Sequence, residues 1–323
     1  MRINFNTVSI GEHTGYGNAS RLLVESLEKR GVEIRPNSDV MLNFSMPPAY
    51  KFSKYTIGYT PWESTEVPDT WVAGLKAVDE LWTPAEWITE VFGQWRQGPI
   101  SVIPHGMDEF WTPVKRERGE PFTFLHVGEP AVRKGGDIVL AAWHKAFARR
   151  KDVQLIIKCV KYPTCRVKDR SGSIIASPES INNIRVLTNV MTQQEMYGLY
   201  LQSHCMVYPS RGEGFGLIPF EAMGTGLPTI TPNQGMGDFV LYNDLKLTNT
   251  KWVPSTEDRI HPGNWMTHDV DELIGLMEQA VDNYGVISED AFNRARLFHD
   301  LYSWNRISSD VERRLKRIDL DEA

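Results

Sequence analysis

The feature that most constrains this chain is a repeated alternation of short apolar runs with longer helix-like stretches. The first series contains INFNTV, DVMLNF, YTIGYT, DELWT and ISVIP, and the second contains FTFLHVG, VQLIIKCV, IRVLTN and CMVYP. Helix-like stretches separate these runs, as in NASRLLVESLEKRG, which we expect to end at Gly31. Strands that alternate with helices form parallel sheets. The sequence therefore predicts an α/β fold with two doubly wound, Rossmann-like domains and a ligand cleft between them.

The boundary between the two series falls at HGMDEFWTPVKRERGEP, which combines two prolines with a run of charges. We predict an N-terminal domain over residues 1–112, a linker over 113–121 and a C-terminal domain over 122–290. Residues 291–323 are predicted to be terminal helices that pack back on the N-terminal domain. The polar stretch 164–183 is predicted to be a long loop.

Composition narrows the class of protein. The 323 residues carry a net charge of -6, which does not favour nucleic acid as a general partner. Three cysteines, an odd number without a CxxC pair, indicate reduced thiols in a cytoplasmic protein and no zinc site. The N-terminus lacks the pattern of a signal peptide, and no apolar run approaches the length of a membrane span.

A glycine-rich stretch, YPSRGEGFGLIPFEAMGTGLPTI at residues 208–230, marks the candidate site. Glycines at alternate positions weaken helices and strands, so such a loop makes sense if something approaches its backbone closely. The loop follows a predicted strand and therefore opens onto the ligand cleft. Its amides and the N-terminus of the helix LIPFEAMG favour a phosphate group. The alternative is a glycine-rich turn with a solvated glutamate.

The block PSRGEGFGLIPFEAMGTGLPTI resembles the donor-site signature of retaining GT-B glycosyltransferases, the large family that includes sucrose and mannosyl transferases. Glu213 and Glu221 meet the family's E-x7-E spacing. The resemblance extends back through FLHVGEPAVRKGGD and covers most of residues 120–232, whereas the N-terminal half matches more loosely through HTGYGNASRLLVESLEKRG and VIPHGMDEFW. The resemblance implies the GT-B fold and a nucleotide-sugar donor, a UDP- or GDP-sugar, used without a metal ion.

The resemblance also implies roles for individual residues. Glu221 would hold the ribose hydroxyls, Glu213 would face the transferred sugar, and Lys134 would neutralise the diphosphate as it leaves. The other donor contacts that it implies are Arg133, the backbone of Gly214, Phe215 and Gly216, and Leu217. Lys134 has an alternative as a solvent-facing residue, but a cation at a helix start opposes the helix dipole.

One position departs from the family pattern. An arginine usually follows the glycine of FLHVG, whereas this chain has Glu129 there, and Arg133 is the expected substitute. The departure leaves open the alternative that the protein binds a nucleotide sugar without catalysing transfer. A glycoside hydrolase would also need two carboxylates but not Lys134. The alternative of a nicotinamide oxidoreductase is supported only by TGYGNAS, which differs from the GxGxxG motif at its last glycine.

The N-terminal domain is expected to supply the acceptor side. Gly15 and Gly17 would let the first loop approach the diphosphate or the acceptor, although a plain strand–helix turn is the alternative. Glu63, after the strand YTIGYT, is a candidate for acceptor binding or proton transfer, and equally for capping the following turn. His13 lies in the first loop, and His105 is expected to be structural.

The sequence leaves the identity of the acceptor open. A glycan, a polymer or a lipid-linked glycan would suit an open acceptor side, as would a modified base in DNA, as in small phage glycosyltransferases. For DNA, the loop KCVKYPTCRVKDRSG could track phosphates, and a solvated surface loop is the alternative. Its basic residues are Lys158, Lys161, Arg166, Lys168 and Arg170.

Overall fold

The computed structural model describes residues 1–8, 15–128, 132–161, 165–168 and 171–318. The first half of the chain forms one six-stranded sheet. Its strands are β1 (Arg2–Thr7), β2 (Glu33–Ile34), β3 (Val40–Phe44), β4 (Tyr55–Tyr59), β5 (Glu80–Thr83) and β6 (Ile100–Val102). They lie in the order β2-β1-β3-β4-β5-β6, and every neighbouring pair is parallel.

Helices cover both faces of this first sheet. They are α1 (Gly15–Lys29), α2 (Asp69–Ala77) and α3 (Glu86–Gly93). As predicted, α1 stops before Gly31, which has φ +81° and donates its N–H to the carbonyl of Glu28 at 2.9 Å. This left-handed conformation is one that glycine adopts without strain. One face packs on α1, and the other on α2 and α3.

The second half of the chain forms a second six-stranded parallel sheet and two small antiparallel hairpins. Its strands are β7 (Phe122–Val127), β8 (Val153–Lys158), β9 (Val167–Lys168), β10 (Ile174–Ala176), β11 (Ile184–Leu187), β12 (Cys205–Val207), β13 (Thr229–Pro232), β14 (Lys246–Leu247), β15 (Thr250–Pro254) and β16 (Asn264–His268). The sheet order is β11-β8-β7-β12-β13-β14. The two parallel sheets confirm the predicted α/β class.

The second sheet is buried between two layers of helices. These are α4 (Gly136–Ala142), α5 (Gln193–Gln202), α6 (Leu217–Gly224), α7 (Val270–Asp282) and α8 (Tyr284–Leu301), and a last helix, α9 (Trp304–Leu315), returns to the first half. Phe122 and Phe124 of β7 face the layer that contains α4 and α7. Leu125 and Val127 face the layer that contains α5, α6 and α8. This alternation follows from the two-residue period of a strand.

The hairpins are where the structure departs from the sequence prediction. Residues 164–183 were predicted to form only a loop, but they include the β9–β10 hairpin. The β15–β16 hairpin, with Thr250 opposite His268, was not predicted. β9 and β10, with two and three residues, are too short for a period-two pattern to stand out.

The chain crosses between the two halves at two neighbouring places. Met107, on the way out of the first half, donates its N–H to the carbonyl of Tyr302 at 2.6 Å and forms a parallel bridge with Ser303. Trp304 then packs on Gly106, where a Cβ would lie 2.4 Å from the indole. After this return crossing, α9 packs its apolar face against α1 in the core of the first half.

The helix α8 runs without a break through residues 290 and 291, where the sequence analysis placed a domain boundary. No helix in the described ranges is both long and apolar enough to cross a membrane.

Candidate active site

Glu213 lies at the centre of a buried polar cluster on the side of the second sheet that faces the first half. Its side chain is 8% exposed. The Nζ of Lys134 donates to both carboxylate oxygens, at 2.7 and 3.0 Å. The hydroxyls of Ser210 and Tyr208 also donate to Oε1, at 2.6 and 3.0 Å. The sequence analysis predicted the glutamate and the lysine but not the two hydroxyls, which come from the loop that follows β12.

Lys134 is held in place by contacts between two loops. It ends the short turn Val132–Lys134 that leads into α4. Arg211, in the glycine-rich loop, donates its backbone N–H to the carbonyl of Arg133 at 2.7 Å. The Arg211 guanidinium also forms a bidentate pair with Asp137 of α4, at 2.7 and 2.8 Å. Planar two-point pairs of this kind fix orientation as well as position.

The charges of this cluster shift one another's pKa. Burial alone would raise the pKa of Glu213, but the adjacent Lys134 and Arg133 outweigh it and lower that pKa to about 2. Burial lowers the pKa of Lys134, and Glu213 partly opposes this effect. The carboxylate is therefore ionised across the physiological range.

Arg133 belongs to the same cluster. Its guanidinium donates to the carbonyl of Gly212 at 2.7 Å and lies 3.5 Å from the Glu213 carboxylate. The expected substitute for the family's arginine is thus beside Lys134. Glu129, which occupies the family's arginine position, falls outside the described residues.

The glycines of the loop permit an approach by the other half of the chain. A Cβ on Gly212 would lie 2.2 Å from the carbonyl oxygen of Glu63, and one on Gly214 would lie 2.3 Å from Pro61. Any side chain at either position would clash with the segment that follows β4. Gly216 has φ +91° and directly precedes α6, so it is needed for its backbone conformation. The sequence analysis expected a close approach to the backbone of this loop without saying which group approaches.

The loop also carries three backbone N–H groups that no described residue accepts from. Gly214, Phe215 and Gly216 are buried, and their N–H groups make no hydrogen bond to any residue the structure describes. Leu217 begins α6 immediately afterwards. Buried N–H groups without partners are costly, and at a helix N-terminus they attract an anion.

Glu221 occupies a different environment from Glu213, although both belong to the same motif. It lies on α6 and, with Asp108, Trp111, Leu217 and other residues, lines a cavity of about 10 Å³. Burial first, and then the charge of Asp108, raise the pKa of Glu221 to about 8. Its carboxyl group makes no hydrogen bond within the described ranges.

The start of α1 meets the start of α6. A Cβ on Gly15 would lie 3.3 Å from Cδ1 of Leu217, so the start of α1 approaches the end of the glycine-rich loop. Gly17 is buried in the first turn of α1. His13, also predicted to lie in this loop, is outside the described residues.

Glu63, after β4, lies close to the cluster. Burial raises its pKa, and Arg133, Glu213 and Lys134 are near enough to act on it. Its Oε2 lies 4.0 Å from Nδ1 of His261, in the loop between β15 and β16. His261 was not considered in the sequence analysis, because nothing in its local sequence distinguishes it.

Two other expectations can be compared with the structure. His105 is buried, with Nδ1 3.0 Å from the Tyr59 hydroxyl, and burial lowers its pKa to about 3. The predicted basic loop exposes less positive charge than its sequence suggests. Lys158 is a buried residue of β8, and Arg166 pairs with Glu179 at 3.1 Å. Lys161 and Lys168 are exposed, and Arg170 is outside the described residues.

Comparison with known proteins assigns this chain to a family. The family model described as "Family 4 Glycosyltransferase in conflict systems" matches residues 85–311, which is more than half of the chain. The serotype-specific mannosyltransferase WbdA of Escherichia coli is 25% identical over 176 residues, covering 48% of this chain and 19% of that protein. The chain therefore spans about a fifth of the length of this relative.

Solved structures share the fold at low sequence identity. Sucrose-phosphate synthase from Thermosynechococcus elongatus superposes with a TM-score of 0.68 at 14% identity, covering 98% of each chain. HepE of Anabaena superposes with a TM-score of 0.64 at 12% identity, covering 98% of this chain and 100% of its own. These neighbours are GT-B glycosyltransferases. The protein thus has the GT-B fold and belongs to the family 4 glycosyltransferases of conflict systems.

Proposed function

We propose that this glycosyltransferase is a retaining enzyme that moves a sugar from a nucleotide-sugar donor to a glycan or another large acceptor. The observation that carries the proposal is the buried Lys134–Glu213 pair, 2.7 Å apart, beside amides at the start of α6 that have no partner among the described residues. A fixed cation and free amide donors suit a diphosphate, and an ionised carboxylate suits a sugar that becomes positively charged.

The donor would lie along the loop and the first turns of α6. Its diphosphate would accept hydrogen bonds from Gly214, Phe215 and Gly216 and face Lys134. Its ribose would reach Glu221, the fifth residue of α6. The HepE structure is described as a complex with UDP-glucose, which supports a UDP-sugar as one donor to test. Because the cavity at Glu221 is only about 10 Å³, the ribose needs more room than this conformation offers.

The reaction would break the bond between the sugar C1 and the diphosphate oxygen. Lys134 and Arg133 stabilise the negative charge that develops on that oxygen. The acceptor oxygen attacks C1 on the face from which the diphosphate leaves, and its proton passes to the departing oxygen. Glu213 stabilises the positive charge on the sugar. It is a poor nucleophile, because its oxygens already accept hydrogen bonds from Lys134, Ser210 and Tyr208.

The proposed reaction is metal-independent, since two protein cations supply the positive charge that a bound ion would otherwise provide. We expect transfer and donor binding to be unchanged by EDTA. A loss of activity on chelation that is restored by Mg²⁺ or Mn²⁺ would contradict this part of the proposal.

A glycan acceptor is favoured by the similarity to a serotype-specific mannosyltransferase. The loop that suggested DNA supports it less, since Lys158 is buried and Arg166 is paired. The acceptor class is therefore best searched for among oligosaccharides and lipid-linked glycans.

The test is calorimetric titration with UDP, GDP, UDP-glucose and GDP-mannose in EDTA, followed by NMR of any sugar that the protein releases from a bound donor. We expect one nucleotide series to bind, and the first anomer released to keep the donor's configuration. Release of the opposite anomer would contradict retention. Absence of binding by every nucleotide and nucleotide sugar would overturn the proposed donor class.

A further inference from the structure

The hairpin β15–β16 connects the glycine-rich loop after β12, here called the donor loop, with the first half of the chain. On one side, Met266 donates its N–H to the carbonyl of Arg211 at 2.9 Å. On the other side, Thr65 and Asn264 exchange two hydrogen bonds, of 3.2 and 2.8 Å, across the cleft. The loop at the tip of the hairpin, residues 255–263, is thereby held next to the segment that follows β4.

His261 is the residue that this loop brings to the cleft. Its ring lies between those of Trp62 and Trp265, with centroid distances of 5.3 and 5.7 Å. Its Nδ1 is buried and makes no hydrogen bond to the described part of the chain. The two nearest carboxylates are too far for hydrogen bonds, with Oε2 of Glu63 4.0 Å from Nδ1 and Oε2 of Glu257 3.9 Å from Nε2.

The imidazole is neutral at physiological pH. Burial first, and then the positive charges of Arg133 and Lys134, lower the pKa of His261 to about 4, despite the opposing effect of Glu213. A neutral imidazole presents one donor and one acceptor, and a carboxyl group beside it presents further acceptors. Hydroxyl groups, which both donate and accept, complement such a pair.

Two more buried polar atoms in this region have no partner among the described residues. They are the hydroxyl of Tyr16, at the start of α1, and the indole Nε1 of Trp265. The charge of Glu63 is near enough to contribute to the raised pKa of Tyr16, after burial and Tyr50. A buried polar group without a hydrogen bond costs about 1–3 kcal/mol. Several such groups around one carboxyl are therefore best explained by a ligand that satisfies them.

We infer that Glu63, His261 and Tyr16 form the subsite for the acceptor sugar, with His261 as its positioning residue. This inference rests on the proposed function. Glu63 and His261 are 4.0 Å apart and not bonded to each other, so each is free to bond one of two adjacent hydroxyls of a sugar ring.

The position of the cluster favours the acceptor over the donor. Glu63 and Tyr16 come from the half of the chain opposite the donor loop. The cavity at Glu221, where the ribose would lie, is lined by none of the three subsite residues. The Lys134–Glu213 pair acts electrostatically on Glu63. The reacting centre would therefore have the ribose on one side and the acceptor subsite on the other.

The experiment measures saturation-transfer NMR of methyl α-D-mannopyranoside and methyl α-D-glucopyranoside, with and without UDP or GDP. The variants are His261→Ala, His261→Asn, which keeps polar atoms near the place of Nδ1, and Ile260→Ala. Ile260 is the matched control, because it is the exposed neighbour in the same loop. We expect the wild type to bind at least one glycoside and His261→Ala to weaken that binding at least tenfold. His261→Asn should recover part of it, and Ile260→Ala should change nothing.

Three results would overturn the inference. The first is that neither glycoside binds the wild type, and the second is that His261→Ala binds as well as the wild type. The third is that His261→Ala weakens a nucleotide sugar relative to its free nucleotide, which would assign His261 to the donor sugar. Failure of every nucleotide to bind would instead contradict the proposed function, and the glycoside titration without nucleotide still decides the subsite. Thermal melting of each variant checks that it folds.

Discussion

Glu213 and Glu221 are eight positions apart in one motif, yet their environments are opposite. Glu213 accepts hydrogen bonds from three side chains and has a pKa of about 2. Glu221 makes none within the described residues, and its pKa is about 8. Burial raises the pKa of both, so the difference comes from their neighbours: the cations Lys134 and Arg133 lie beside Glu213, whereas the charge of Asp108 acts on Glu221. The comparison shows that one carboxylate is fixed before substrate arrives, whereas the other is left for a ligand.

Removing the cation from Glu213 should make it resemble Glu221. We expect Lys134→Met to lower turnover by about 10²–10³-fold, because the leaving diphosphate loses its fixed positive charge. Glu213 would then be buried without its main partner, which also costs stability. The double variant Lys134→Met, Glu213→Gln should regain stability without regaining turnover. Steady-state kinetics with denaturant unfolding of both variants would test this, and wild-type turnover in Lys134→Met would refute the leaving-group role.

The depressed pKa of Glu213 should appear as a pH-dependent contribution to stability. That contribution is present above the ordinary value of 4.5 and is lost as pH falls through about 2. We expect Glu213→Gln to be less stable than wild type by about 3 kcal/mol at pH 7. The difference should narrow between pH 5 and pH 3 in urea unfolding. A difference that does not depend on pH would mean that the carboxylate is not held ionised.

Truncating the other glutamate should act on donor binding. Glu221→Ala removes the acceptor proposed for two ribose hydroxyls. Two hydrogen bonds to a neutral carboxyl group are worth about 1–3 kcal/mol together, so nucleotide affinity should fall about 5–100-fold. Calorimetric titration with the nucleotide that binds wild type measures the change. Lys134→Met serves as the comparison, since it should affect the diphosphate and not the ribose. Unchanged affinity in Glu221→Ala would remove the residue from the donor site.

The raised pKa of Glu221 predicts a smaller effect of opposite sign. Below pH 4.5 the carboxyl is protonated in both folded and unfolded chains, and stability is lost as pH rises toward 8, because only the unfolded chain ionises freely. Glu221→Gln removes this loss. We expect it to match wild type near pH 4.5 and to exceed it by about 1–3 kcal/mol at pH 8, a figure reduced for partial exposure. A variant that is less stable than wild type at pH 8 would contradict the buried neutral state.

Much of the fold could be predicted from the sequence, because the alternation of apolar runs and helices sets both the class and the parallel sheets. The strands of β15 and β16 were missed, since TKWVP and NWMTH show no clear alternation and pair only through a tertiary contact. Lys134 and Glu213 could each be named as site residues from the family motif, although their pairing could not. His261 could not, because its position beside Glu63 depends on how a hairpin folds 198 residues further along the chain.

The glycines teach the same limit in a different way. Their presence correctly indicated that another group approaches the backbone closely. At Gly212 and Gly214 that group is the segment after β4. Sequence shows that a position must lack a side chain, but it does not show what occupies the space.

The two chain crossings at Met107 and Tyr302–Ser303 lie side by side and are hydrogen-bonded to each other. Two tethers at one place leave the halves free to rotate about a line through both, and oppose sliding or separation. In such a rotation, atoms far from the line sweep the largest arcs. The Thr65–Asn264 hydrogen bonds belong to a separate junction formed by the β15–β16 hairpin, so they would act as a latch distinct from the pivot.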